Sequence, residues 1–145
     1  MKKIYLFIYF LVGCSGEIPD NPKISDQSRF PRLSSNANGE VFLSWFEQVD
    51  SIEWSIKSSI FSQAKWSDPK EISRSSSYFI NWADFPSLNF INEDTLVSHW
   101  LEKSGSGTYD YDVHLSFSFD NGKSWQSSQI PHSTKIKGEH GFSSF

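Results

Sequence analysis

Few of the side chains in this 145-residue sequence could carry chemistry, and their spacing narrows the options. Four histidines and the Asp110-Tyr111-Asp112 run supply groups of the kind that ligate metal ions. None shows His-x-x-x-His or Cys-x-x-Cys spacing, so no metal site is expected. His99 and His114 could face each other across two strands, where hydrogen-bonded histidines are the commoner outcome. No nucleophile elbow, phosphate loop or nucleotide fingerprint occurs, and no cofactor is expected. The chain has three arginines, Arg29, Arg32 and Arg74, and one cysteine, Cys14, so it can form no internal disulfide. Tyr109 and Tyr111 cluster in what reads as a loop.

The element that best defines the surroundings of these groups is a hairpin near the C-terminal end. Val113, Leu115, Phe117 and Phe119 alternate with His114, Ser116 and Ser118, the period of a half-buried strand. Asp120-Asn121-Gly122 is a turn, because Asp bonds nearby backbone and Gly takes positive φ freely. Trp125 follows as a large apolar plug. Aromatic residues make up 17% of the chain, and no stretch sustains apolar spacing at 3.6 residues. Short alternating runs separated by Asn, Ser, Gly and Asp imply an all-β fold.

An internal repeat organises these runs. Arg29-Phe-Pro-Arg-Leu33 with Ser44-Trp-Phe-Glu47 matches Asp84-Phe-Pro-Ser-Leu88 with His99-Trp-Leu-Glu102, at a constant offset of 55 (85 − 30, 100 − 45, 102 − 47). Ser59 to Trp66 matches Ser118 to Trp125 at an offset of 59, and the four added residues are expected in the Lys103–Gly107 loop. Each unit is expected to close with a strand ending at Ile72 or Ile130. Units of four short strands spanning about 29–80 and 81–138 have the size of propeller blades. Glu139-His140-Gly141-Phe142 reads as the start of a third unit, so the chain is expected to be the front part of a longer, six-bladed protein.

The opening residues read as an address. Met1-Lys2-Lys3 and the apolar run Ile4–Val12 form a signal peptide too short to span a bilayer as a helix. Leu11-Val12-Gly13-Cys14 resembles a bacterial lipobox, which makes Cys14 the expected lipidation site and membrane anchor of an exported lipoprotein. Residues 14–28 form a polar tether. Removal of residues 1–13 leaves 145 − 13 = 132 residues and takes the net charge from −4 to −6 with Lys2 and Lys3 gone. Such an acidic body argues against nucleic acid as a partner.

The pattern Ser118-x-Asp120-x-Gly122-x-Ser124-Trp125 resembles the Asp-box of bacterial sialidases and their β-propeller relatives, where it braces a hairpin away from the catalytic face. From about Arg29 onward the chain is similar to exo-α-sialidase-like lipoproteins of bacteria, most specifically in Asn81–Leu88, His99–Ser104 and Glu139–Phe142. The resemblance implies a sialidase-like propeller acting on terminal sialic acid or related acidic sugars at the cell surface. Sialidases hold the sugar carboxylate with three arginines, and Arg29-Phe30-Pro31 fits the first of their motifs with one apolar swap. Arg29 is then a substrate-binding residue or, on the bland reading, a solvated arginine beside a strand start. Asp50 falls near the family's acid/base aspartate, and Asp84 near an aspartate that lines the sugar pocket; aspartates at such places are more commonly turn caps. The family's second arginine has no counterpart between Arg32 and Arg74, and its nucleophilic tyrosine and partner glutamate lie in later blades. The expectation is therefore a sialidase-like glycoside hydrolase segment inactive as this chain, with a non-catalytic glycan-binding or scaffold lipoprotein as the alternative.

Overall fold

The computed structural model describes residues 20–140. The expected signal peptide (1–13), Cys14 and residues 141–145 of the expected third unit lie outside the described residues. All regular structure among the described residues is β-strand. The first sheet comprises β1 (Ser28–Ser35), β2 (Val41–Gln48), β3 (Trp54–Ser62), β4 (Lys65–Trp66) and β5 (Lys70–Ser75). Short β4 and β5 follow one another along the outer edge of β3. The second sheet comprises β6 (Ser87–Phe90), β7 (Leu96–Lys103) and β8 (Tyr111–Ser118), and every ladder in both is antiparallel.

The repeat is visible in the bonds. Trp45 Nε1 donates to Glu47 Oε2 at 3.3 Å, and 55 residues later Trp100 Nε1 donates to Glu102 Oε1 at 2.8 Å. A basic side chain stands across the ladder from each tryptophan: Lys57 opposite Trp45 pairs with Glu47, and His114 opposite Trp100 lies 3.9 Å from Glu102. Alternation along a strand sends Trp45 and Phe46 to opposite faces. The Phe42/Phe46 face of the first sheet meets the Leu96/Trp100 face of the second, with Ile56, Ile72, Tyr78 and Leu88 completing the core between them. Each such side chain fully buried stabilises the fold by about 1.5–3 kcal/mol. Phe42 meets Phe90 edge-on at 4.3 Å, and the sheets are also tied by Ser34 Oγ to Leu88 O (2.6 Å) and Ser44 Oγ to Pro86 O (3.1 Å).

Three expectations need correction. Ser59 pairs with Leu43 while Ser116 pairs with Ser98, so Ser59 corresponds to Ser116 and not to Ser118. The β2–β3 loop has five residues (49–53) and the β7–β8 loop seven (104–110), so only two of the four added residues lie there; the other two lengthen the following turn. The second unit's closing strand also fails to form. Ile72 lies inside β5, but Ile130 is exposed and only the bridge Leu115↔Gln129 precedes it, because Pro131 has no N–H to give a ladder.

On β8 the burial is also reversed. Ser116 and Ser118 are fully buried while Phe117 is half-buried and Phe119 is exposed. The serines share a face with Trp100, toward the first sheet, where small side chains let the sheets approach closely. His99 and His114 sit opposite Leu115 and Trp100 respectively, hence on opposite faces, and do not meet.

Candidate functional site

The first strand of each unit is interrupted at the same place, and the second interruption builds a cleft. In β1 the register slips between Arg29 and Arg32, where Phe30 takes a φ of 53° ahead of Pro31. Arg29 pairs with Phe46, whose counterpart Leu101 accepts the backbone bond of Phe79. The offset is thus 79 − 29 = 50 before the slip and 85 − 30 = 55 after it, so the second unit carries five extra residues, Ile80–Asp84. Asn81 folds this insert by accepting from the backbone N–H of Ala83 (2.7 Å) and Asp84 (3.0 Å). The fold needs this turn because the chain must leave β7 after Phe79 and rejoin it at Ser87.

The insert, the β7–β8 loop and Glu139 enclose a cleft of about 430 Å³. Asp110 closes the loop by accepting from Gly107 N at 2.8 Å, and a Cβ at Gly105 or Gly107 would lie within 3.0 Å of its carboxyl group. On the floor, Tyr111 Oη donates to Glu139 Oε1 at 2.9 Å, and a parallel bridge joins the two backbones. Burial, reinforced by the Glu139 carboxylate, pushes the Tyr111 phenol above its ordinary pKa. Asn81 Nδ2 donates to Asp84 Oδ2, leaving the other carboxylate oxygen buried without a hydrogen bond. At the mouth Trp82 is 81% exposed and Tyr109 62% exposed. The cleft thus offers two carboxylates, an amide and two open aromatic faces, and no cationic side chain among the described residues lines it.

Of the expected site residues that are described, Asp84 alone lies in this cleft. Tyr111, expected in a loop, is the first residue of β8 and is 1% exposed, its hydroxyl committed to Glu139. Arg29 donates to the carbonyls of Asp26 (3.1 Å) and Ser28 (2.8 Å) and lines a separate hollow of about 80 Å³ with Ile24, Pro31, Leu43 and Trp45. Asp50 caps its own loop, accepting from Ile52 N and Glu53 N at 2.8 Å each, bonds that hold its carboxyl below the usual range. The Asp-box residues sit at the far end of β8. Ser118 Oγ donates to Asp120 Oδ1 (2.8 Å) and accepts from Gly122 N (2.9 Å), while Asp120 also accepts from the Ser124 backbone (2.8 Å) and hydroxyl. These bonds, the Ser124 hydroxyl first, lower Asp120 to a pKa of about 2. Trp125 packs against the core between the sheets. Tyr111 at the cleft and Ser118 of the box lie at opposite ends of β8, 118 − 111 = 7 residues apart, about 23 Å at the usual rise per residue.

No family model, curated protein or solved structure matches this chain.

Sequence spacing missed two groups. Trp82 and the Ile80–Asp84 insert were hidden because the ungapped repeat aligned Arg29 with Asp84, whereas strand pairing makes Phe79 its counterpart. Asp112, His132 and His140, spaced by 20 and 8 residues, converge beside the cleft with their ligand atoms within 4.8 Å of one another. His132 replaces the strand that Pro131 interrupts, its Nε2 accepting from Val113 N at 3.0 Å.

Proposed function

We propose that this chain is part of a sialidase-like β-propeller surface lipoprotein, and that the Asn81–Glu139 cleft contacts a glycan without hydrolysing it. The observation that carries this reading is the pairing of open aromatic faces at Trp82 and Tyr109 with the carboxylates of Asp84 and Glu139. Aromatic faces stack on the apolar face of a sugar ring, and carboxylates accept from its hydroxyls. The head-to-tail contact between the two sheets supports a blade arrangement, since each sheet presents one face forward and the repeat-equivalent other face backward. Export and lipidation at Cys14 rest on the sequence pattern. Among the described residues no helix is long and apolar enough to cross a membrane.

The hydrolase reading finds less support. Arg29 and Asp50 line no part of the cleft, and Tyr111 is buried. Holding a sugar carboxylate there would require a guanidinium, and two carboxylates would repel it instead. The cleft suits neutral terminal sugars better than sialic acid.

Tryptophan fluorescence of the chain titrated with neutral and sialylated oligosaccharides tests this. The expected result is saturable quenching by a neutral glycan, weakened at least tenfold (about 1.4 kcal/mol) in Trp82→Ala, and no turnover of a fluorogenic sialoside. Unchanged binding in Trp82→Ala/Tyr109→Ala, or no glycan binding at all, would remove the cleft from consideration. Sialoside turnover would restore the hydrolase.

A further inference from the structure

We propose that Asp112, His132 and His140 form a binding site for one divalent transition-metal ion, with zinc as the best-suited ion. Two imidazoles and one carboxylate within 4.8 Å of one another are a nitrogen–oxygen donor set that zinc accepts, leaving one coordination position for water.

Three further observations point to a cation. Asp112 is 5% exposed, and its Oδ1 is buried with no hydrogen bond, while His140 Nε2 lies 3.4 Å away. A buried carboxylate without compensation is costly. Asp112 also stands directly opposite Glu102 in the β7–β8 ladder, so two carboxylates face each other where like charges destabilise a sheet. The equivalent pair in the first unit is Glu47 and the neutral Ser55, whose hydroxyl donates to Glu71 at 2.9 Å. The only ammonium near Asp112 among the described residues, Lys137, is 4.0 Å away and half exposed. Finally, His132 already holds the tautomer a ligand needs. Its Nδ1 can donate to Ser133 O (3.3 Å), which leaves the Nε2 lone pair facing inward. The two rings lie stacked at 3.8 Å, half-buried, with solvent access for an entering ion.

Binding would exchange two neutral hydrogen bonds for coordinate bonds: Val113 N–H to His132 Nε2 at 3.0 Å and His140 Nε2–H to Ile136 O at 3.2 Å. His140 would shift to its Nδ1–H tautomer, freeing the Nε2 lone pair for the ion without loss of a proton. The ion would clamp the segment after β8 at the point where no fourth strand forms. Because Asp112 follows Tyr111 and His140 follows Glu139, it would hold the Tyr111–Glu139 floor of the cleft from the opposite face of the strand.

The test is zinc titration by calorimetry on the full chain, made without a polyhistidine tag and with Cys14→Ser so that the thiol cannot contribute. One saturable site per chain with micromolar or tighter affinity is expected, with a visible ligand-field band when cobalt replaces zinc. Asp112→Asn and His140→Gln should each weaken binding at least tenfold, with folding checked by circular dichroism. If His140→Gln fails to fold, His132→Gln provides the same comparison. Absence of a saturable zinc site, or equal affinity in the folded variants, overturns the proposal. The readout contains no sugar, so it stands or falls separately from glycan contact at the cleft.

Discussion

The two units share a backbone plan and differ in what lies against them. Trp45 and Trp100 occupy equivalent positions, each bonded to the glutamate two residues on, yet their neighbours have different origins. Trp100 lies in the core between the sheets with Phe42, Phe46 and Tyr78, whereas Trp45 lies on the other face, beside Arg29 of β1, Leu43 of β2 and Ile24 of the expected tether. The lesson is that a repeat fixes which face a residue occupies, while its energetic weight depends on the unit stacked there. The tether itself gains structure from this. Gln27 O accepts from Gln48 N at 3.2 Å, and Lys23 pairs with Asp68 at 2.7 Å, contacts that its polar composition gave no reason to expect.

The largest expected effect breaks the symmetry of the two tryptophans. Trp100→Ala should destabilise the fold by about 4 kcal/mol, because two sheets hold the cavity open. Trp45→Ala should cost about 2 kcal/mol, since the chain at Ile24 can settle toward the space left. Urea unfolding of both variants measures the gap, and equal losses would show that the tether packs as firmly as a sheet.

A second asymmetry is titratable. Position 44 in the first unit is serine, but its counterpart in the second is His99, buried against Ser87 Oγ. Burial first, and then the charge of Arg32, depress its pKa from 6.5 to about 4. A depressed histidine stays neutral in the folded chain while the unfolded chain takes up a proton below 6.5, so stability is lost as pH falls through the window from 6.5 to 4. Between pH 7 and pH 5 the loss should be about 2 kcal/mol, from about 1.5 pH units at 1.36 kcal/mol each. Thermal melts across this range should show the slope, and His99→Gln should flatten it. Asp120 acts only lower, between 3.8 and about 2, so the two windows can be separated.

How much of this could be read in advance follows from what each signal depends on. The Trp-x-Glu motif, the all-β class and the Asp-box turn are local: alternation, a glycine at positive φ and a capping aspartate act within a few residues. The Ile80–Asp84 insert was illegible because the match aligned its last residue, Asp84, with Arg29, and only the pairing of Phe79 with Leu101 reveals it. The Asp112–His132–His140 cluster was illegible for a different reason. Its members meet only because Pro131 stops strand pairing and lets a side chain take the place of the backbone acceptor. The buried serine face of β8 reverses the usual inference from polarity, since sheet-to-sheet distance decided there in favour of small residues.

The cross-strand position occupied by Ser55 in one unit and Asp112 in the other offers a smaller contrast. Without added metal, Asp112→Ser should be close to neutral or stabilising by about 1 kcal/mol, because it removes a buried charge facing Glu102. With zinc present the sign should reverse, as the variant loses the ligand. Melting temperatures of parent and variant with and without zinc measure both signs.

A last contrast separates the two hairpin turns that close β3 and β8. The first uses Gln63 and Ala64 at φ 50° and 62°, a two-residue turn held in the left-handed region without glycine. The second places Asn121 at 56° and Gly122 at 80°, with Leu96 Cδ1 only 3.2 Å from where a Cβ would sit. Glycine relieves strain in the first and is required in the second, so one exchange should act with opposite signs. Gly122→Ala should cost about 1–2 kcal/mol from φ alone, with the Leu96 contact adding to it. Ala64→Gly should stabilise by about 0.5 kcal/mol, the released strain being partly offset by the greater freedom glycine gives the unfolded chain. Chemical denaturation resolves both. Two losses of equal size would mean that the turns are held by their surroundings, and that the Asp-box is only one of two ways to brace the same bend.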